Sequence, residues 1–303
     1  MKIFDYIFAA RPLLHLPVWS VYLVTLHYHL ELSQDSFALT DILMLLALTL
    51  ATSASYYINQ IYDYDSDKIN NKLGFLQKEY MSFNEMKTLY YLCAIFSISI
   101  GFYLSLFAGF LLLTLNILGT IYSAPPVRLK DRPISGLLTN AIGYGFIIPL
   151  TVMPDMTIHN DGLLGWDNPF YFTLTIGAIY LLTTIPDKEG DEKTGKRTLS
   201  VILSTPLIKI LALILLIDSV VIANDSNYIL LVILSIISAL ILLITLFAES
   251  EKLLFLSIKL PILLLTLLAG YFFYLYAVFI VALLITTRLY YKKRFNMEYP
   301  KLT

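Results

Sequence analysis

The sequence predicts an all-α polytopic membrane protein, and three observations carry the prediction. Hydrophobic residues make up 58% of the 303 and charged residues only 14%, against about 25% charged in an ordinary soluble domain. The mean hydropathy is +0.74. The apolar residues gather into runs long enough to cross about 30 Å of hydrocarbon, and Lys and Arg fall in alternate connections between those runs. A net charge of −1 offers no basic surface to nucleic acid, and neither a zinc-finger spacing nor a long basic run occurs. Cys93 is the only cysteine, so no intramolecular disulfide can form; inside an apolar run it reads as a small buried group. No small-residue cleavage site follows the first apolar core, so that segment is expected to stay as a helix.

Nine helices are expected, near 13–30, 41–62, 88–107, 109–123, 136–154, 169–186, 206–224, 228–248 and 261–287, around a single domain covering 1–303. The first follows Lys2 and Arg11. The second is followed by Lys68, Lys72, Lys78 and Lys87, the fourth by Arg128, Lys130 and Arg132, and the sixth by Lys188, Lys193, Lys196, Arg197 and Lys209. Lys252 and Lys259 follow the eighth, and the intervening connections carry no basic residue. The positive-inside rule makes the basic side cytoplasmic. The tail breaks the pattern: with nine crossings Arg288, Lys292, Lys293, Arg294 and Lys301 lie outside, whereas two short spans over 253–287 would bring them inside.

Two acidic stretches stand out against this background. "DYDSDKINNKLG" after the second helix and "DKEGDEKTGKRT" after the sixth each place Asp-x-x-x-Asp before basic residues and a glycine. The separation of four helices, an even number of crossings, gives both copies one orientation, a parallel pseudo-repeat rather than the inverted repeat of many transporters. Asn59, Asp63 and Asp67 are spaced i, i+4, i+8, so on a continued helix they drift only about 40° per step and share a face, with Asp65 pointing elsewhere. Asp187 and Asp191 repeat the i, i+4 spacing after Pro186, a candidate break or fresh start of helix. Hard oxygen ligands without His or Cys nearby suit Mg²⁺, which takes one or two carboxylates and completes its shell with water and phosphate oxygens. The bland alternative is a set of solvated carboxylates paired with neighbouring lysines. Matched spacing at one membrane face argues against it, because carboxylates crowded at an apolar boundary repel one another until a cation neutralises them.

A third stretch, "YSAPPVRLKDRP" at 122–133, closes the fourth helix on the same face. Pro125 and Pro126 stop the helix. Arg128 and Lys130 read either as clamps for phosphate oxygens or as topology signals, and Arg11 before Pro12 carries the same two readings. Tyr122 and Ser123 offer hydrogen bonds to a phosphate or simply end the helix. His15 is a candidate cavity residue, while His27 and His29 sit at the far, interfacial end of the first helix.

With these motifs in order, the chain resembles the UbiA superfamily of intramembrane aromatic prenyltransferases over nearly its whole length. The resemblance rests on Asn59-x-x-x-Asp63-x-x-x-Asp67, on "YSAPPVRLK" at 122–130 and on "DKEGDEKTGKRTL" at 187–199. It implies nine transmembrane helices around a central cavity, two Mg²⁺ ions holding a prenyl diphosphate, and a lateral opening for lipid-like substrates. By motif position it makes Asn59, Asp63, Asp187 and Asp191 the metal ligands, with Asp67 secondary, and Tyr122, Ser123, Arg128 and Lys130 the diphosphate contacts. Asp63 and Asp191 are then the catalytic residues. Two departures occur: Gln60 stands where many members have a second acidic residue, and "NNKLGFLQKEYMS" replaces an Arg-Pro-rich stretch.

The expected activity is Mg²⁺-dependent transfer of a prenyl group, through an allylic carbocation, to an aromatic or other lipophilic acceptor inside the membrane. The expected partners are a prenyl diphosphate, that acceptor and membrane lipids, with no nucleic acid and no obligate protein partner; in a prokaryote the location would be the cell membrane. The main alternative is an ion-coupled transporter, whose acids would be expected near the midplane. A CDP-alcohol phosphotransferase would carry an Asp-Gly-x-x-Ala-Arg signature, which is absent.

Overall fold

A computed structural model describes residues 2–69, 74–152, 167–248 and 250–300. It is helical throughout, with no strand among the described residues. A short helix α1 (Lys2–Ala9) meets α2 (Leu16–Ser33) through a left-handed residue, Arg11, and a 3₁₀ turn over Pro12–His15. There follow α3 (Leu39–Tyr62), the single-turn α4 (Tyr64–Ile69), α5 (Phe83–Leu104) and α6 (Leu106–Ser123). The next span has three parts: α7 (Pro133–Asn140), a π-helical segment (Ala141–Ile147) and a last turn α8 (Ile148–Leu150). The rest is α9 (Asp167–Lys193), the short α10 (Leu199–Ile202), α11 (Thr205–Asp225), α12 (Ile229–Phe247), α13 (Glu251–Phe272) and α14 (Tyr274–Phe295).

Ten helical segments among the described residues are long and apolar enough to span a membrane, so the expected nine are corrected to ten. The helix expected over 261–287 is two, parted at Phe273, whose backbone N–H still bonds the Ala269 carbonyl while its own conformation leaves the helical region (φ −126°, ψ 87°). Apolar residues on both sides of this break hide it from a hydropathy reading. Ten crossings return the chain to its starting end, and a direct contact there agrees. Arg294 of α14 forks onto Asp5 of α1 with two bonds of 2.9 Å, Tyr290 donates to Asp5 Oδ1 at 2.5 Å, and Asp5 is 1% exposed. Arg288, Lys292, Lys293 and Arg294 therefore join the other basic residues at one end. Lys72, Lys301 and positions 153–154 of the expected fifth helix lie outside the described residues.

Two further expectations change. Pro186 does not break the chain; α9 runs through it to Lys193, because a proline inside a helix removes one backbone bond without forcing a stop when the flanking turns are packed. The stripe Asn59, Asp63, Asp67 is interrupted at Asp63, which caps α3 (φ −96°, ψ 3°) before α4 begins. The Asp63 N–H bonds the Asn59 carbonyl at 2.9 Å and the Asp67 N–H bonds the Asp63 carbonyl at 2.8 Å, so the i, i+4 spacing survives the kink.

Inside a bilayer, helices associate by close packing and polar contacts rather than by water exclusion. Both are present. The backbone of Gly145 lies against Phe172 and Thr173 of α9, so close that an added β-carbon would fall 2.5 Å from the Phe172 carbonyl oxygen. Ser20 shares a hydrogen bond of 2.9 Å with the Tyr276 hydroxyl and donates to Thr266 at 3.2 Å, tying α2 to α13 and α14. Tyr171 and Ser235 share one of 2.9 Å, and Ser219 donates to Ser235 at 3.0 Å, tying α9, α11 and α12. Exposed Phe110, Ile117, Ile233 and Leu240 face outward, as lipid contact requires.

Because Asp5 is buried, removing its cation leaves an uncompensated charge, a loss of roughly 3–5 kcal/mol for such pairs. Arg294→Leu is expected to lower the thermal midpoint in detergent markedly, and adding Asp5→Asn is expected to restore part of the loss. A single variant melting with the wild type would contradict the clasp.

Candidate functional site

Where α3 leaves the apolar layer, Asn59 and Asp63 stand one turn apart on the same face. The Asn59 amide donates to Asp63 Oδ2 at 2.9 Å and to the Ser123 hydroxyl at the end of α6 at 3.1 Å. The connection after α6 folds back over this point. Lys130 donates to Asp63 Oδ1 at 2.5 Å, and Arg128 reaches the same oxygen at 3.5 Å while forming a tighter bond of 2.7 Å to Asp131. The Lys130 side chain is only 9% exposed and that of Asp63 16%. Burial pulls the Lys130 ammonium below its usual value, and the Asp63 carboxylate offsets this only in part. Arg128 itself has φ 42°, a left-handed conformation that costs a non-glycine residue roughly 1–2 kcal/mol and persists only when its surroundings enforce it.

The second acidic stretch lies at the same end. Asp191 is held by Lys196 at 3.2 Å and by the Thr198 hydroxyl at 3.0 Å, with its side chain 13% exposed. Asp187 is exposed on the same helix. The two stretches are joined through the 124–132 connection: the Arg197 N–H bonds the Asp131 carbonyl at 3.0 Å, and Asp131 carries Arg128. Tyr180 lies in the electrostatic reach of Asp187, Asp191 and Asp131 and sits beside Tyr122. The structure thus brings Asn59, Asp63, Ser123, Arg128 and Lys130 into direct contact, with Tyr122 beside Tyr180 and Asp191 in an adjoining cluster. Asp67 is half-buried in α4. Arg11 stands apart, beside Tyr56, Tyr291 and Tyr299.

Below the cluster a cavity of about 140 Å³ runs between α3, α6 and the α7 to α8 span. Its mouth is polar, with Asn59, Ser123, Tyr122 and Asn140; Tyr56 and Tyr144 flank the middle, and Leu48 and Ile148 floor it. His15 does not line it. Its ring, buried and bonded to the Ala10 carbonyl at 2.9 Å, stacks behind Tyr56 with centroids 5.6 Å apart. Asp131, Lys196, Thr198, Tyr180 and the tyrosine pair were not singled out from sequence. Tyr180 had a signal: on a helix continuous through Pro186 it lies at i−7 from Asp187, on one face, and the expected break concealed it. Tyr56 likewise lies at i−3 from Asn59.

No group of three or more His, Cys, Asp or Glu side chains converges on a metal position among the described residues. The donors that are present, an amide and carboxylates at a partly buried mouth, suit a hard divalent ion that draws its remaining ligands from a bound phosphate. Asn59 and Asp63 would hold it on one side and Asp187 and Asp191 on the other. Lys130 and Arg128 already neutralise Asp63, so they compete with such an ion until an anion draws them away.

A bundle of ten apolar helical segments with a cationic and acidic mouth above a largely apolar cavity is the architecture of a polytopic membrane protein with an internal site. Residues 18–253 match the UbiA prenyltransferase family, and the chain belongs to it. It is 29% identical over 192 residues to a homogentisate phytyltransferase of Synechocystis sp., covering 61% of this chain and 62% of that protein. It is 33% identical over 172 residues to a digeranylgeranylglyceryl phosphate synthase of Methanosphaera stadtmanae, covering 56% and 60%. With a 2-acyl-4-prenylphloroglucinol 6-prenyltransferase of Humulus lupulus it shares 32% over 157 residues, covering 48% and 37%. The chain thus spans between 37% and 62% of these relatives' lengths. Its fold is that of a UbiA homolog from Archaeoglobus fulgidus bound to DMAPP and Mg²⁺, at a TM-score of 0.67 and 19% identity, over 88% of this chain and 98% of that one.

If Lys130 competes with a divalent ion for Asp63, Lys130→Met should bind Mn²⁺ several-fold more tightly than wild type when no diphosphate is present, read by electron paramagnetic resonance titration. Unchanged or weaker binding would contradict the competition.

Proposed function

We propose that this protein transfers a prenyl group from a prenyl diphosphate to a lipophilic acceptor within the membrane. The observation that supports the reading best is the pairing of the Asp63, Lys130 and Arg128 cluster with the apolar cavity directly beneath it. That arrangement fits a ligand with a highly charged head and a hydrocarbon tail. The relatives' names include a 2-acyl-4-prenylphloroglucinol 6-prenyltransferase, a homogentisate phytyltransferase and a digeranylgeranylglyceryl phosphate synthase, and solved UbiA homologs hold DMAPP or GPP with Mg²⁺.

In this reading Lys130 and Arg128 turn from Asp63 to the diphosphate oxygens, Ser123 and Tyr122 donate hydrogen bonds to it, and Asn59, Asp63, Asp187 and Asp191 would hold two Mg²⁺ ions, with Asp67 in support. The bound ions would supply charge neutralisation that makes the diphosphate a better leaving group. The chain's own share is to orient the allylic C–O bond toward the charged mouth, to keep the carbon chain in the apolar cavity and to exclude water from the allylic cation. The faces of Tyr56 and Tyr144 are placed to stabilise that cation. The acceptor then supplies the electron pair for the new bond and loses a proton. Arg11, expected as a substrate contact, lies beside Tyr56 rather than at the mouth. By the positive-inside rule the mouth faces the cytoplasm, and 1–303 forms one domain, in the cell membrane if the source is a prokaryote. The transporter alternative receives no support, because the acids cluster at helix ends rather than at the midplane.

Asp63→Ala and Asp191→Ala are each expected to lower Mg²⁺-dependent prenyl transfer by at least about 100-fold, roughly 2.7 kcal/mol of barrier, while the purified proteins stay folded. Wild-type turnover in either variant would sink the two-cluster site.

A further inference from the structure

Three observations along the cavity wall concern one residue, Gly143. It lies in the π-helical segment Ala141–Ile147, a wider turn of a kind frequent at functional sites. Pro149 gives a local cause, since it lacks the N–H that the Gly145 carbonyl would accept in a regular α-helix. Gly143 is buried and lines the cavity. A β-carbon added there would have a single neighbour within 4 Å, Leu115 Cδ2 of α6 at 3.9 Å, an ordinary contact. The other glycines nearby differ. The space at Gly119, also on the cavity wall, is filled by the Ser55 hydroxyl, and Gly145 is pressed against the α9 backbone. Gly143 is therefore open on its cavity side, where a side chain would enter empty space rather than protein.

Its depth is informative. On the same span it lies three residues from Asn140 at the mouth and five from Ile148 at the floor. The cavity, at about 140 Å³, is close to the roughly 150 Å³ that holds one benzene ring, so a few carbon atoms at this level decide what passes to the floor.

We infer that Gly143 is a specificity-determining residue that sets how long a prenyl chain the cavity admits: its missing side chain keeps open the passage from the charged mouth to the apolar floor. This rests on the prenyl-transfer reading. A bulky residue would close the passage below the first isoprene unit, sparing a five-carbon donor and excluding a long one, with the diphosphate contacts untouched.

The test measures binding rather than turnover. Wild type, Gly143→Ala and Gly143→Leu in detergent are titrated, with Mg²⁺ present, with non-hydrolysable thiolodiphosphate analogues of dimethylallyl and geranyl diphosphate, and their thermal midpoints are recorded. Gly143→Leu is expected to lose at least tenfold in affinity for the ten-carbon analogue relative to the five-carbon one, and Gly143→Ala a smaller part of that; a wild type that holds only the five-carbon analogue overturns the inference. An unchanged ratio, or equal loss of both analogues in a folded variant, overturns the inference and leaves the prenyl reading standing. If Gly143→Leu does not fold, Gly143→Ala decides by the same ratio. A wild type that binds neither analogue overturns the prenyl reading itself, and the inference with it.

Discussion

Asp63 stands where α3 leaves the hydrocarbon, and a carboxylate there is expensive unless a cation meets it. Lys130 at 2.5 Å and Arg128 at 3.5 Å meet it. The rest of this end of the bundle follows from that pairing. To bring both cations back over α3, the chain must stop α6 at Ser123, turn sharply, and hold Arg128 in a left-handed conformation stabilised by Asp131. Asp131 then receives the Arg197 N–H, which carries the end of α9 and its Asp191 into the same neighbourhood. One compensated charge thus organises three connections that are remote in sequence.

The same pairing balances charge at the proposed diphosphate site. The two most buried site carboxylates are each matched to a lysine, Asp63 to Lys130 and Asp191 to Lys196. Those lysines are also the groups that an incoming diphosphate would attract. Exchange of partners, rather than creation of charge, is then what binding requires. Beneath the mouth the requirement changes from charge to shape, and the cavity walls pass from amide and hydroxyl groups to Tyr56, Tyr144 and finally Leu48 and Ile148.

Much of this was legible in the sequence, for physical reasons particular to each part. The helices were legible because twenty apolar residues have few other fates, and the acidic motifs because i, i+4 spacing on a helix is geometrically unambiguous. Phe273 was not legible as a break: nothing polar marks it, and only the basic tail, stranded on the wrong side by nine crossings, hinted at a tenth. Pro186 misled in the opposite direction, since the continuity of α9 depends on packing that no local propensity reports. Asp131, Lys196 and Thr198 were invisible as site residues because their role is to hold another residue. That relation arises only when the connections fold over one another. The cavity's width at Gly143 depends in the same way on Leu115 across the gap.

The central claim is that the α3 to α4 junction, the 124–132 connection and the 187–198 stretch act as one site for a diphosphate. Hydrogen exchange of the purified protein in nanodiscs tests it most directly. On adding Mg²⁺ with a non-hydrolysable prenyl diphosphate analogue, amides in 63–69, 124–132 and 187–198 should slow together, and Mg²⁺ alone should produce much less protection. Protection confined to one of the three segments, or full protection by Mg²⁺ without the analogue, would contradict it.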